Sequence, residues 1–331
     1  MAQVVRFHQT GGPEVLKVEQ LDVPAPGKGE VQIAIKAIGL NRAEAMFRRG
    51  QYMVTPKLPA RLGYEAAGTI ATIGPEVSGF KIGDVVSVIP AFNLNDYGMY
   101  ASLANAPAYA VVHHPASLTW EQAAAVWMQY LTPYGALIDI AKLTRGDTII
   151  LPAASSSVAL SAMQIAKKVG AVSIALTRGT SKRRALLDAG AAHVIATDEQ
   201  DLVKEIHAIT RGEGARVVFD PVAGATLVKL TQATAKHGII VVFGALAPEP
   251  TPFPLFDVIG KGITIRGYSM TEVVNDRQRM QKAIGFISEG LANGSLKPVI
   301  AKTFPLEQIV EAHRYLESNQ QVGKVVVTTE K

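Results

Sequence analysis

A run of serines opens a helix at a point where phosphate could sit. The segment Ala153-Ala154-Ser155-Ser156-Ser157-Val158 follows the apolar stretch Thr148–Leu151 and leads into a second apolar stretch ending at Val169. A strand, a turn of small residues and a helix, in that order, aim backbone N–H groups at an anion. Glycines usually line such a turn because the backbone must approach the phosphates closely. Here serines and an alanine stand instead. Serine caps helices and adds hydroxyl donors, although the extra Cβ atoms widen the turn or weaken its grip on a pyrophosphate. A second group follows about twenty residues later, where sites for an unphosphorylated ribose place a carboxylate. This chain has Leu176-Thr177-Arg178 and then Lys182-Arg183. A guanidinium and an ammonium suit a 2′-phosphate. Turn and cations together predict an NADPH site that includes Ser155, Ser156, Ser157, Val158, Thr177, Arg178 and Lys182. The competing reading is a helix cap beside a solvated basic surface, in a domain that has lost its cofactor.

The elements around these residues change rhythm along the chain. Up to about residue 125 the pattern is mostly strand, punctuated by Gly and Pro. Val31–Ile38, Thr69–Ile73 and Asp84–Ile89 are strand candidates, and a short helix is expected over Arg42–Arg49 with Asn41 as its cap. In the middle, strand candidates 148–151, 172–176, 193–196, 217–220 and 239–243 alternate with helical stretches 158–169, 182–189, 202–211 and 226–237. Repeated strand–helix alternation predicts a doubly wound parallel sheet of the dinucleotide-binding type. The tail predicts helix 275–292, strand 299–304, helix 306–318 and strand 324–328.

Composition narrows the function classes. Of 331 residues, 48% are hydrophobic and 18% charged, which supports a buried core and argues against disorder. The absence of cysteine excludes a disulfide scaffold, a thiolate nucleophile and a thiolate zinc site. It is compatible with the cytoplasm. No apolar run suggests a signal peptide or a membrane span. The net charge of +5 fits an anionic ligand. The basic residues are too scattered for nucleic acid as a partner.

Three segments carry a resemblance. Gly39-Leu40-Asn41-Arg42-Ala43-Glu44, Gly63-Tyr64-Glu65-Ala66-Ala67-Gly68 and Gly146–Pro152 resemble the medium-chain dehydrogenase/reductase superfamily, over nearly the whole chain. In its zinc alcohol dehydrogenases a cysteine stands at the Asn41 position and a histidine at the Tyr64 position. What is left resembles the zinc-free quinone oxidoreductase (zeta-crystallin-like) branch, which reduces quinones and enones with NADPH. The resemblance implies a Rossmann-type domain over 127–265 and a β-rich GroES-like domain made of 1–126 and 266–331. It implies a homodimer paired through an edge strand near Val258–Ile265. It also implies three groups at the acceptor. Tyr52 would polarise or protonate the substrate, or simply form the pocket wall. Asn41 would donate to the nicotinamide ribose or the substrate oxygen, or cap its helix. Tyr64 would face the same site or fill space. Glu65 is expected to be a buried, partnered carboxylate. Thr132, Phe243, Gly244 and Lys324 are expected near the cofactor, with a buried helix threonine and a surface lysine as the competing accounts for Thr132 and Lys324. The function expected is hydride transfer to a quinone or an α,β-unsaturated carbonyl. The alternatives are an NADPH-binding protein of crystallin or RNA-binding type with little turnover, and an alcohol dehydrogenase acting through zinc.

Overall fold

The computed structural model describes residues 1–329. Glu330 and Lys331, counted above with the tail of the first domain, lie outside the described residues. The described residues form two compact units, residues 1–128 with 298–329 and residues 129–297.

The first unit is built on the long strand Glu30–Gly39. It pairs antiparallel with Glu65–Ile73, with Leu103–Pro107 and with Lys324–Thr328. The seven-stranded sheet also takes in Ile300–Pro305, Val85–Val88 and Val111–His113, and a three-stranded sheet of Lys17–Leu21, Ala2–Phe7 and Ala60–Arg61 accompanies it. The inner residues Val31, Ile33, Ile35 and Ile38 are buried with Phe7, Phe47, Ile70 and Val327 in one apolar cluster. This is the expected GroES-like arrangement. Strand register matters for the site. Gly39 stands opposite both Glu65 and Val326, so Glu65 and Lys324 arrive from the two flanking strands. A Cβ at Gly39 would lie 2.9 Å from both Glu65 Oε1 and Lys324 Cε. The missing side chain leaves room for the Ala124 carbonyl oxygen, which that Cβ would meet at 2.2 Å, and for those two groups.

The helix Arg42–Arg48 and the helix Ile309–Glu317 are joined by a directed polar chain. Arg48 donates to His313 Nδ1 at 2.7 Å, and His313 Nε2 meets the Tyr100 hydroxyl at 3.2 Å. Tyr100 donates to Glu44 Oε2 at 2.7 Å. Arg48 also pairs with Glu317 at 2.7 Å. Arg48, His313, Tyr100 and Glu44 are all buried.

The second unit is a six-stranded sheet with parallel pairing throughout. Its order is His193–Ala196, Val172–Thr177, Thr148–Leu151, Ala215–Asp220, Thr234–Val242, Thr264–Gly267. In order of appearance this is 3-2-1-4-5-6, the doubly wound dinucleotide-binding topology. Strand order reverses beside Thr148–Leu151, so the serine turn that follows it stands at the switch point, where such sheets bind ligands.

Three sequence expectations need correction. The helix expected over 226–237 ends at Ala233, and Thr234 begins a strand. Lys261 Nζ takes the carbonyls of Thr231, Gln232 and Thr234, which closes the helix there. The edge strand expected over Val258–Ile265 is instead the helix Leu255–Lys261 followed by the short edge strand Thr264–Gly267. Gly262, at φ +61°, supplies the left-handed residue that ends this helix. The segment 266–297 groups with the second unit rather than the first. Its helix Arg277–Ala292 is held there by Arg279 against Asp139 at 2.5 Å, Lys168 against Glu289 at 2.8 Å and the Phe286 ring against Tyr134 at 5.2 Å.

Burial, and then the Arg48 charge, lower the His313 pKa to about 3 from 6.5. Between these values the unfolded chain holds a proton that the folded chain refuses. Stability therefore falls as pH falls through that window. His313→Gln removes the effect, and urea unfolding between about pH 6.5 and 3 should lose up to ~1.4 kcal/mol per pH unit of slope. An unchanged slope would show that another group titrates.

Candidate functional site

In the first unit the polar group gathers around a buried lysine. Lys324 and Glu65 are each 1% exposed and form an ion pair. Lys324 Nζ also donates to Asn41 Oδ1 at 2.6 Å. The Asn41 amide nitrogen lies 3.2 Å from both Glu65 Oε1 and the Gly39 carbonyl. The second oxygen of Glu65 accepts the Met128 N–H at 2.9 Å. Glu65 is thus the buried, partnered carboxylate expected, and its partner is Lys324. The surface account of Lys324 is overturned, because its strand is flanked on both sides and its ammonium is enclosed. Asn41 is the N-cap of the helix Arg42–Arg48, as expected, in a capping box with Glu44, and its side chain also reaches Lys324 and Glu65. Its amide hydrogens already have acceptors inside the protein.

Glu44 organises the other side. Its carboxylate accepts the Asn41 N–H at 2.7 Å, the Tyr64 N–H at 2.9 Å and the Tyr100 hydroxyl. Burial pushes the Glu44 carboxyl up, while these donors and the Lys324 charge oppose the rise. Glu44 therefore ties the two segments carrying Asn41 and Tyr64 to one point. Sequence reasoning missed this role. The signal was present, since an Asn followed three residues later by Glu is a helix-start pattern whose carboxylate reaches back.

Tyr52 and Tyr64 meet edge to face, with ring centroids 6.4 Å apart, and Phe92 continues the array at 6.0 Å from Tyr64. The Tyr52 and Tyr64 hydroxyls lie close enough to interact through a hydrogen bond. Burial raises the pKa of both phenols, so both stay protonated at neutral pH.

In the second unit the serine turn is shaped without glycine. Ala153 takes a left-handed φ of +48°. Ser156 is the cap of the helix Ser157–Val169, and its hydroxyl oxygen accepts the Ala159 N–H at 3.2 Å. Ser157 and Val158 begin the helix, so their N–H groups lack the intrahelical acceptor available further along. Ser155 takes no part in capping. Its Oγ accepts from Lys182 Nζ at 2.9 Å. Burial, followed by the charge of Arg178, lowers the Lys182 pKa. Arg178 is exposed at the end of the second strand, beside Thr177, whose carbonyl accepts the Thr197 N–H at 2.8 Å. Arg183 turns away, donating to the Val194 carbonyl at 3.0 Å.

At the end of the fifth strand of this sheet Phe243 stacks on Phe219 at 3.9 Å. A Cβ at Gly244 would lie 2.7 Å from the Pro221 carbonyl oxygen, which is why glycine stands there. Thr132 is buried in the helix Trp127–Pro133. The structure therefore brings Asn41, Tyr52, Tyr64 and Lys324 into one group with Glu44 and Glu65. It brings Ser155, Arg178 and Lys182 into another, with Phe243 and Gly244 on the same sheet.

A model described as the alcohol dehydrogenase GroES-like domain matches residues 27–116, and one described as zinc-binding dehydrogenase matches residues 157–289. Quinone oxidoreductase 1 of Escherichia coli strain K12 is 32% identical over 326 residues, covering 98% of each chain. The chain belongs to the quinone oxidoreductase family of medium-chain dehydrogenases/reductases. The crystal structure of Escherichia coli quinone oxidoreductase complexed with NADPH superposes with a TM-score of 0.92 at 32% identity, covering 99% of this chain and 100% of that one. A structure described as an NAD-dependent alcohol dehydrogenase also superposes with a TM-score of 0.92, at 31% identity, covering 100% of each chain.

Among the described residues no three His, Cys, Asp or Glu side chains gather to hold a metal. The Glu65 carboxylate, which accepts from the Asn41 amide, already carries a cation, the Lys324 ammonium. Removing one partner from a buried ion pair costs about 3–5 kcal/mol. Lys324→Met should therefore lower urea-unfolding stability by that order. Adding Glu65→Gln should recover part of the loss, because it removes the stranded charge. Simple additivity of the two substitutions would contradict the pairing.

Proposed function

We propose that this chain is an NADPH-dependent reductase that delivers hydride, without zinc, to a quinone or to the β-carbon of an α,β-unsaturated carbonyl compound. The observation that carries the reading is the placement of Arg178, Lys182 and Ser155 around the switch-point turn, with no carboxylate at the end of the second strand. That arrangement favours a phosphorylated ribose over the free hydroxyl that a carboxylate would select. Relatives named quinone oxidoreductase, one of them solved with NADPH, support the same assignment.

NADPH supplies the hydride when bound. The protein's share is placement and charge. Arg178 and Lys182 hold the 2′-phosphate, and the N–H groups of Ser157 and Val158 hold the pyrophosphate on the helix Ser157–Val169. Thr177, Phe243 and Gly244 line the nucleotide side, and Thr132 is assigned to the nicotinamide end. On the acceptor side, Tyr52 donates to the substrate oxygen, where negative charge develops, and passes its proton to the enolate or quinol oxygen. Tyr64 or water replaces that proton. Asn41, fixed by Lys324 and Glu65, keeps this wall in place.

The proposal includes a homodimer. Phe253, Leu255, Phe256 and Ile259 are exposed on and beside the helix that precedes the edge strand Thr264–Gly267, and burying them against a second copy would remove apolar surface from water. Sedimentation should give about twice the monomer mass, and a monomer at micromolar concentration would end this part. Residence in the cytoplasm belongs to the same proposal and is checked by cell fractionation. Among the described residues no helix is long and apolar enough to cross a membrane.

The deciding assay is NADPH oxidation with a panel of quinones and a panel of enones. Turnover is expected with at least one member, with NADPH preferred over NADH. Tyr52→Phe should lower kcat by about 100-fold on enones, with cofactor affinity unchanged, which is the low end for loss of a general acid. Tight NADPH binding with no oxidation of any member would favour the non-catalytic binding protein. Equal kcat for Tyr52→Phe would return Tyr52 to the role of a wall.

A further inference from the structure

Ser155 has a partner that a helix cap does not require. It stands after the first strand of the parallel sheet, yet its hydroxyl oxygen accepts from Lys182, which stands after the second, at 2.9 Å. The neighbouring Ser156 already performs the capping. The loop carrying Arg178 and Lys182 is pinned from the third strand, where Glu199 accepts the Thr180 N–H at 3.2 Å. Arg178 lies close enough for its charge to oppose that of Lys182. Two cations held against each other form a site completed by an anion of high charge. A hydroxyl that accepts from an ammonium still has its own proton to donate, and the cation makes it a stronger donor.

We propose that Ser155 is a positioning residue for cofactor specificity. It holds the Lys182 ammonium where the 2′-phosphate binds, and it keeps its own proton for a phosphate oxygen, so that the turn and the ribose-phosphate subsite act together. The inference rests on the NADPH reading above. It assigns to this hydroxyl, rather than to the basic side chains alone, part of the discrimination between phosphorylated and unphosphorylated nucleotides.

Titration calorimetry on the full chain with NADPH, NADH and 2′,5′-ADP tests it, using Ser155→Ala, Lys182→Gln and the double variant. A hydrogen bond to a charged group contributes about 1.5–3 kcal/mol, and each 1.4 kcal/mol is tenfold in affinity. Ser155→Ala should therefore weaken NADPH and 2′,5′-ADP by about tenfold or more, and NADH by less than about twofold. In the Lys182→Gln background Ser155→Ala should add little, because the two residues act as one unit. Ser155→Thr, which keeps the hydroxyl, should restore the preference, and it also serves if the alanine variant does not fold. Equal weakening of NADPH and NADH, full additivity with Lys182→Gln, or no effect would each overturn the inference while leaving the NADPH reading intact. Absence of NADPH binding by the unaltered chain would instead remove that reading itself.

Discussion

A buried ammonium organises the polar centre of the first unit. Lys324, Glu65 and Asn41 form a closed set of charge-assisted bonds in a region from which water is excluded. Neither charge is tolerable there alone. The pair therefore constrains everything that brings it together. Gly39 must lack a side chain, the strands on either side of Gly39 must keep their register, and the Met128 N–H must reach the remaining carboxylate oxygen. Related zinc enzymes place a metal ligand at the Asn41 position. Here that residue answers to a cation that belongs to the chain.

The nucleotide side applies the same physics with weaker, more exposed groups. A glycine-rich turn reaches phosphate by backbone approach. This turn keeps the helix start and substitutes hydroxyls, with one serine closing the helix and another bound to a lysine. Left-handed geometry survives at Ala153 without glycine, at a modest conformational cost. The side chains here are partly solvated, so they contribute little to stability.

Much of this was legible in the sequence because it rests on local signals. Alternation in Val31–Ile38, the strand–turn–helix around Ser155–Ser157 and the absence of a carboxylate at Arg178 can all be read directly. The helix Leu255–Lys261 was misread because Val258 and Ile259 suit a strand, while Gly262 and the lysine that caps a neighbouring helix decide otherwise. The boundary at residue 266 was misplaced because Tyr268 and the helix Arg277–Ala292 join the second unit through contacts distant in sequence. Lys324 is the sharpest case. It is 259 residues from Glu65 in the chain. Only the strand pairing that carries it beside Gly39 shows that it is buried and paired. Glu44 was visible as a helix-start acid, but its hold on Tyr64 and Tyr100 is tertiary.

The proposed function has the chain position its acceptor site with its own ammonium and work without a divalent metal. Elemental analysis of protein purified without chelator, and again after dialysis against zinc, tests it most directly. The account predicts zinc far below one atom per chain in both samples. One zinc per chain that survives gel filtration would contradict it.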